Sequence, residues 1–175
     1  LVGDAPAALS FRTGKWTTVA AWRKVAAQRL MDCLAQPDTG GVPEVTVHRQ
    51  LTYDGLHIEE LSWQLPYGPR TEAFFLKPEG ATGRLPGILG LHDHGGNKYF
   101  GKRKITRIAD AWHPMMLEHQ ENYYGGVAWA NELAKRGYAV LVHDTFPFAS
   151  RRVLLQDVPE PIRNGLSDNE PERPE

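Results

Sequence analysis

One cysteine, Cys33, stands among the 175 residues, so no disulfide can form within the chain, and its presence alone does not fix the compartment. No apolar run approaches the roughly 20 residues that a membrane-spanning helix needs, which leaves no membrane partner to expect. Neither sign of charge is in excess. Twenty Lys and Arg face 21 Asp and Glu for a net charge of −1, so nothing suggests a polyanion such as nucleic acid. No internal repeat is present, and no secretory leader is visible. The first residue is Leu1, however, so a removed or unnumbered segment stays open. The compartment is therefore open between secreted or periplasmic and cytoplasmic. Self-association is open as well. What remains is a length and an apolar share of 41% sufficient for one domain with a real core.

The first 15 residues have no clear period and read as a loosely held arm. From Trp16 to Gln36, Val19, Trp22, Ala26, Leu30 and Cys33 fall near a 3.6-residue stripe, which predicts a helix capped by Thr17 or Thr18 and stopped by Pro37. On that stripe Cys33 holds a structural position. Two alternating runs then flank Asp54-Gly55, a strong hairpin signal, and "TEAFFLKP" reads as a third antiparallel strand. The pattern changes at "GILGLH", whose consecutive apolar residues suit a strand buried on both faces of a parallel sheet. A long polar loop follows. "GVAWANELAKRG" reads as a helix with Val127, Ala130 and Leu133 or Ala134 toward the sheet and Gly137 closing it, and "YAVLVHD" as a second buried strand. Strand, helix and strand make a right-handed crossover unit. Residues 151–175, rich in proline and acids, read as an exposed loop or tail. Residues 16–150 form the structured part, in which antiparallel strands lead into a mostly parallel sheet flanked by helices. Two parallel strands cannot cover both faces of their own sheet, so the chain is expected to stop midway through its fold.

The loop "HDHGGNKYFG" leaves the carboxyl end of the first parallel strand, where ligands bind in open α/β sheets. Two chemistries suit it. His94-Gly95-Gly96 lets the backbone come close to a substrate, with N–H groups aimed at charge developing on a carbonyl oxygen. An HGGG-type loop after an early strand does this in α/β-hydrolases. Alternatively, His92 and His94, two residues apart, suit a metal pair to which Asp93, His113, His119 and His143 could add ligands. No second motif is spaced to complete that set. Against both stands a plain turn. In the same vein, His92 reads as a hydrogen-bonded core histidine and Lys102–Lys104 as a solvated face. Tyr123 and Tyr124 are aromatics that either pack the loop or wall a pocket. Asp144, just past the second parallel strand, lies at the functional sheet edge or caps a turn.

The stretches "PGILGLHDHGG", "YYGGVAWANELAKRGYAVLVHD" and "FPFASRR" resemble the α/β-hydrolase superfamily, and within it the acetyl-xylan-esterase-like and dienelactone-hydrolase-like branch. The resemblance covers roughly residues 16–160. It implies an eight-stranded, mostly parallel sheet, a Ser-His-Asp triad, no cofactor, and hydrolysis of short-acyl or acetyl esters on carbohydrate-like substrates. It also implies an oxyanion hole and pocket built from His94, Gly95, Gly96, Asn97, Tyr124 and Asp144. One part of the family pattern is missing. The nucleophile elbow needs Gly-x-Ser-x-Gly. Ser10, Ser62 and Ser150 have no glycine two residues away, and Ser167 has Gly165 before it but Asn169 after it. The family's order of serine, acid and histidine places all three after the second parallel strand. The triad is therefore expected beyond Glu175, in a C-terminal remainder that would be the chain's partner, and this chain alone is expected to be inactive. The competing readings are a metal-dependent hydrolase using His92 and His94, and a non-catalytic binding module on the same fold.

Overall fold

The computed structural model describes residues 4–166, 168 and 169. The chain divides into two compact units, Leu1–Thr39 and Gly40–Glu175. In the first, helix α1 runs Val19–Leu34, capped by Thr18, whose Oγ1 accepts the Ala21 amide at 3.1 Å. Thr18 is one of the two caps expected, because a threonine ahead of the periodic run satisfies an otherwise orphaned N–H. The arm folds back on the helix start. The Trp22 indole N–H donates to the Leu9 carbonyl at 2.8 Å, and Phe11 meets the same ring edge-on at 5.8 Å. No residue of α1 is buried, and Cys33 is exposed rather than structural. Within this unit the arm reaches Trp22, Ala26 is half-buried, and Val19, Leu30 and Cys33 stay exposed.

In the second unit, β1 (Val45–Tyr53) and β2 (Leu56–Trp63) form the hairpin the Asp-Gly pair announces. Asp54 at φ 52° and Gly55 at φ 74° supply the two left-handed residues that a two-residue turn requires. Strand β3 (Thr71–Pro78) pairs with β2 antiparallel. Strands β4 (Gly87–Gly90) and β5 (Ala139–His143) then pair in parallel, and the sheet order is β1-β2-β3-β5-β4. Among the described residues the parallel part is this one pair, since β5 meets β3 antiparallel.

One face of the sheet is well covered. Leu56, Ile58, Phe74, Leu76, Val140 and Val142 pack with Ile105, Ile108, Ala130 and Ala134 into the main core. Burying a side chain of this size contributes roughly 1.5–3 kcal/mol, so this cluster dominates the unit's stability. Helix α3 (Trp129–Lys135) places Ala130 and Ala134 on it, one turn apart, and Gly137 at φ 96° ends the segment as expected. Val127, expected to face the sheet, is instead 40% exposed, because it precedes the helix.

The opposite face of β4 is left open by the described residues, as expected of two parallel strands on their own. Leu89 and Leu91 are 56% and 57% exposed, so the strand is not buried on both sides. It is the edge strand of the described sheet, and an apolar edge strand has the same sequence pattern as a central one. The long loop also contains a helix that periodicity does not reveal. Helix α2 (Pro114–Tyr124) begins with Pro at its first position, where no amide partner is lost, and closes on Gly125 at φ 62°. Its buried face includes His119 and Gln120 and docks by hydrogen bonds. The Gln120 amide donates to the carbonyls of Thr106 at 3.1 Å and Lys104 at 3.3 Å. No helix among the described residues is long and apolar enough to cross a membrane.

Candidate active site

The carboxyl ends of β4 and β5 lie side by side, with Gly90 opposite Val142, so the loops after them share one sheet edge. The β4 loop begins with His92, which is buried. Its Nδ1–H donates to the Asp93 carbonyl at 2.9 Å, and its Nε2 accepts the Thr145 amide at 3.1 Å. Both ring nitrogens are thus committed, and the tautomer is fixed as the neutral Nδ1–H form. Burial pulls the His92 pKa below its ordinary value, against the raising influence of the Asp93 carbonyl and the Asp144 charge. A ring in this state has no lone pair left for a metal. This takes His92 out of the His92–His94 pair. Of the further ligands considered, His119 lies with Asp93, whereas His113 stacks near Phe100 and His143 packs against Trp63. Among the described residues no three His, Cys, Asp or Glu side chains are grouped to hold an ion.

Asp93 is the hub of the loop. Its Oδ2 accepts the Tyr124 hydroxyl at 2.7 Å and the His119 Nε2–H at 2.9 Å, and its Oδ1 accepts the Gly95 amide at 2.8 Å. Partial burial pushes this carboxyl's pKa up. The donors from Tyr124, His119 and Gly95, with the Lys104 charge, outweigh that and hold it well below the usual carboxylate range. Tyr124 moves the other way, raised by burial and then by the Asp93 carboxylate it donates to. Beneath the loop lies Lys104, which is fully buried. Its ammonium donates to the Gly96 carbonyl at 2.9 Å and the Asp93 carbonyl at 3.4 Å, and sits 3.6 Å from Asp93 Oδ1. Burial lowers its pKa, and the Asp93 charge opposes that shift.

The glycine amides depart from the sequence expectation. The Gly95 N–H is turned to Asp93 Oδ1, and the Gly96 N–H to the His94 carbonyl at 2.8 Å. An aspartate two residues ahead captures the amide in an Asx-type turn before any ligand can. Among the described residues, the amides of His94 and Asn97 have no acceptor, as is also true of Lys98, Tyr99 and Gly101 further along the loop. His94 itself is exposed, and Asn97 takes φ 49°.

Asp144 belongs to a neighbouring network. It is fully buried, and its carboxylate accepts the Lys102 amide at 2.7 Å, the Lys102 ammonium at 2.9 Å and the Ser150 hydroxyl at 2.9 Å. It binds the β4 loop to the β5 loop and offers no atom to solvent. A methyl group on Gly101 would collide with this carboxylate, so only glycine fits there. The reading of Lys102–Lys104 as a solvated face is corrected here. Lys102 and Lys104 are 7% and 0% exposed, drawn inward by Asp144 and Asp93. The structure thus gathers His94, Gly95, Gly96, Asn97 and Tyr124 around Asp93 and Lys104, and sets Asp144 in a second cluster. Sequence reasoning named Asp93 and His119 only as possible added metal ligands and did not assign Lys104 to the site, since a lysine flanked by other cations gives no sign that it is buried.

No described serine stands in a nucleophile's setting. Ser10 caps a 3-10 turn, and Ser150 is tied to Asp144. Ser62 lies 2.6 Å from His48 Nε2, but it is 1% exposed within the antiparallel strands and also accepts Arg70 Nε–H at 2.7 Å. Ser167 lies outside the described residues.

No family model matches the sequence. Over 95 residues, 54% of the chain, it is 30% identical to a Bacillus subtilis protein named "Putative hydrolase YtaP". Its fold is similar to a solved structure from Bacteroides fragilis described as "a putative acetyl xylan esterase", with a TM-score of 0.58 and 18% identity over 79% of the chain. The chain spans 28% of the first protein's length and 33% of the second's. The mixed α/β sheet with its helices is therefore an esterase-like fold.

Proposed function

We propose that this chain is the N-terminal part of a serine ester hydrolase of the α/β-hydrolase superfamily, in the acetyl-xylan-esterase-like and dienelactone-hydrolase-like branch. Its substrates are small esters, short-acyl or acetyl groups on carbohydrate-like alcohols. Nucleophile, acid and base come from polypeptide outside residues 1–175, the partner of this segment in one active site. No cofactor enters the reaction. The hydrolase and esterase names of the similar proteins support the reading.

One observation carries it. The loop at the carboxyl end of the parallel pair is held rigidly from below, while the amides of His94 and Asn97 are left without acceptors. When a serine oxygen attacks the ester carbon, the carbonyl π electrons move onto oxygen. Donors fixed in advance stabilise that oxyanion more than they stabilise the neutral carbonyl, which lowers the barrier. Of the loop residues expected to build the oxyanion hole, His94 and Asn97 then supply the donors, with Gly95 and Gly96 shaping the turn and Tyr124 walling the pocket.

The test is hydrolysis of 4-nitrophenyl acetate by the natural protein that contains this sequence, with and without a metal chelator. Turnover that survives chelation is expected. Loss of turnover on chelation would favour metal-dependent hydrolysis, and absence of turnover with any short-acyl ester would favour a binding module.

A further inference from the structure

We propose that Lys104 is a positioning residue for the hydrolysis, holding the Gly96 carbonyl inward and thereby aiming the Asn97 amide outward at the forming oxyanion. The inference rests on the ester-hydrolase reading and adds a residue to it. Lys104 Nζ lies 2.9 Å from the Gly96 oxygen, and the side chain is fully buried. The peptide joining Gly96 to Asn97 is trans, because the one cis bond among the described residues is Phe146–Pro147. In a planar trans unit the C=O and N–H point in opposite directions. A carbonyl fixed on an interior ammonium therefore leaves the Asn97 N–H facing away from that interior.

Among the described residues the lysine contact is the one hydrogen bond to the peptide unit itself, although the turns on either side tie the Gly96 amide to His94 and the Asn97 carbonyl to Phe100. Gly96 at φ 64° and Asn97 at φ 49° are both left-handed, so no helix or strand ladder fixes the peptide between them. The same ammonium also meets the Asp93 carbonyl at 3.4 Å. That carbonyl also accepts the His92 Nδ1–H at 2.9 Å, so histidine and lysine together hold the Asp93–His94 unit, whose N–H likewise has no acceptor among the described residues. The charge itself is settled by Asp93 Oδ1 at 3.6 Å and the Phe148 ring, whose centroid is 4.6 Å away. Asp93 is in turn fixed by His119 and Tyr124, so the lysine has a rigid counterion to work against.

The test compares the natural protein with Lys104→Met, which keeps the stem and removes the donor. For 4-nitrophenyl acetate, kcat should fall on the order of 10²-fold, the loss seen when an oxyanion donor is removed. KM should stay within about threefold, the pattern of an interaction made in the transition state alone. A lysine that merely stabilised the fold would lower the melting temperature and leave kcat in place. A folded Lys104→Met protein with wild-type kcat would overturn the proposal and leave the hydrolase reading standing. Wild-type protein that hydrolyses no ester would overturn both. Where Lys104→Met does not fold, Lys104→Gln serves the same kinetic comparison. Amide hydrogen exchange on the wild type gives a reading that needs no variant. Asn97 should exchange faster than Gly95 and Gly96, and a protected Asn97 amide would overturn the proposal.

Discussion

The Lys102 ammonium and the Asp144 carboxylate meet at 2.9 Å, on side chains 9% exposed and fully buried, from positions 42 apart in the chain. Removing one partner of such a pair strands the other charge in a medium that solvates it poorly, at a cost of about 3–5 kcal/mol. The Glu72 carboxylate, also 2.9 Å from Lys102 but 58% exposed on its side chain, offsets only part of that cost. Asp144→Ala should therefore lower the unfolding free energy of the natural protein by up to that amount, read from the shift of the denaturant midpoint. An unchanged midpoint would show that the two loops are not braced there.

His92 makes stability depend on pH. Its folded-state pKa is depressed, chiefly by burial, below the roughly 6.5 of an unfolded histidine. The unfolded state therefore takes up a proton first as pH falls. The neutral ring's contribution is fully present above about pH 6.5 and is lost as pH falls toward the lower folded value. Protonation would also set an N–H against the Thr145 amide that Nε2 now accepts. Stability of the wild type should drop more steeply between pH 7 and 5 than that of His92→Gln. Parallel profiles would contradict the assignment.

The sheet was legible because its signals are local. Asp54-Gly55 sits between alternating runs, and Ala130 and Ala134 lie one helical turn apart. What escaped was whatever depends on distant partners. An edge strand with Leu89 and Leu91 outward has the same pattern as a central strand, since burial is decided by what packs against it. Helix α2 buries His119 and Gln120 one turn beyond Met115 and Met116, so the apolar part of its inward face is too short to show as a periodic stripe. Lys104 looked solvated because nothing near it in sequence reveals Asp93, 11 residues earlier, as its counterion. The candidate loop itself was found from the strand end and the glycine pair. Which of its amides are free depended on the Asp93 side chain, whose orientation the sequence does not state.

Gly96 gives a further prediction. A Cβ there would meet no atom within 4 Å, but the residue's φ of 64° is one that side-chain-bearing residues rarely adopt. Gly96→Val should therefore cost only about 1–2 kcal/mol of stability, the penalty for a left-handed L-residue. The strain displaces the peptide that carries the Asn97 amide, so kcat should fall on the order of 10²-fold. Paired melting curves and steady-state kinetics check this. Normal ester turnover in a folded Gly96→Val protein would make the loop structural.

The most direct measurement is to treat the natural protein with a fluorophosphonate, which reacts with an activated serine, and to map the labelled residue by mass spectrometry. The account predicts one labelled serine, outside residues 1–175, with ester hydrolysis lost in proportion to labelling. Label on Ser10, Ser62, Ser150 or Ser167, or no label in a protein whose ester hydrolysis a chelator abolishes, would contradict it.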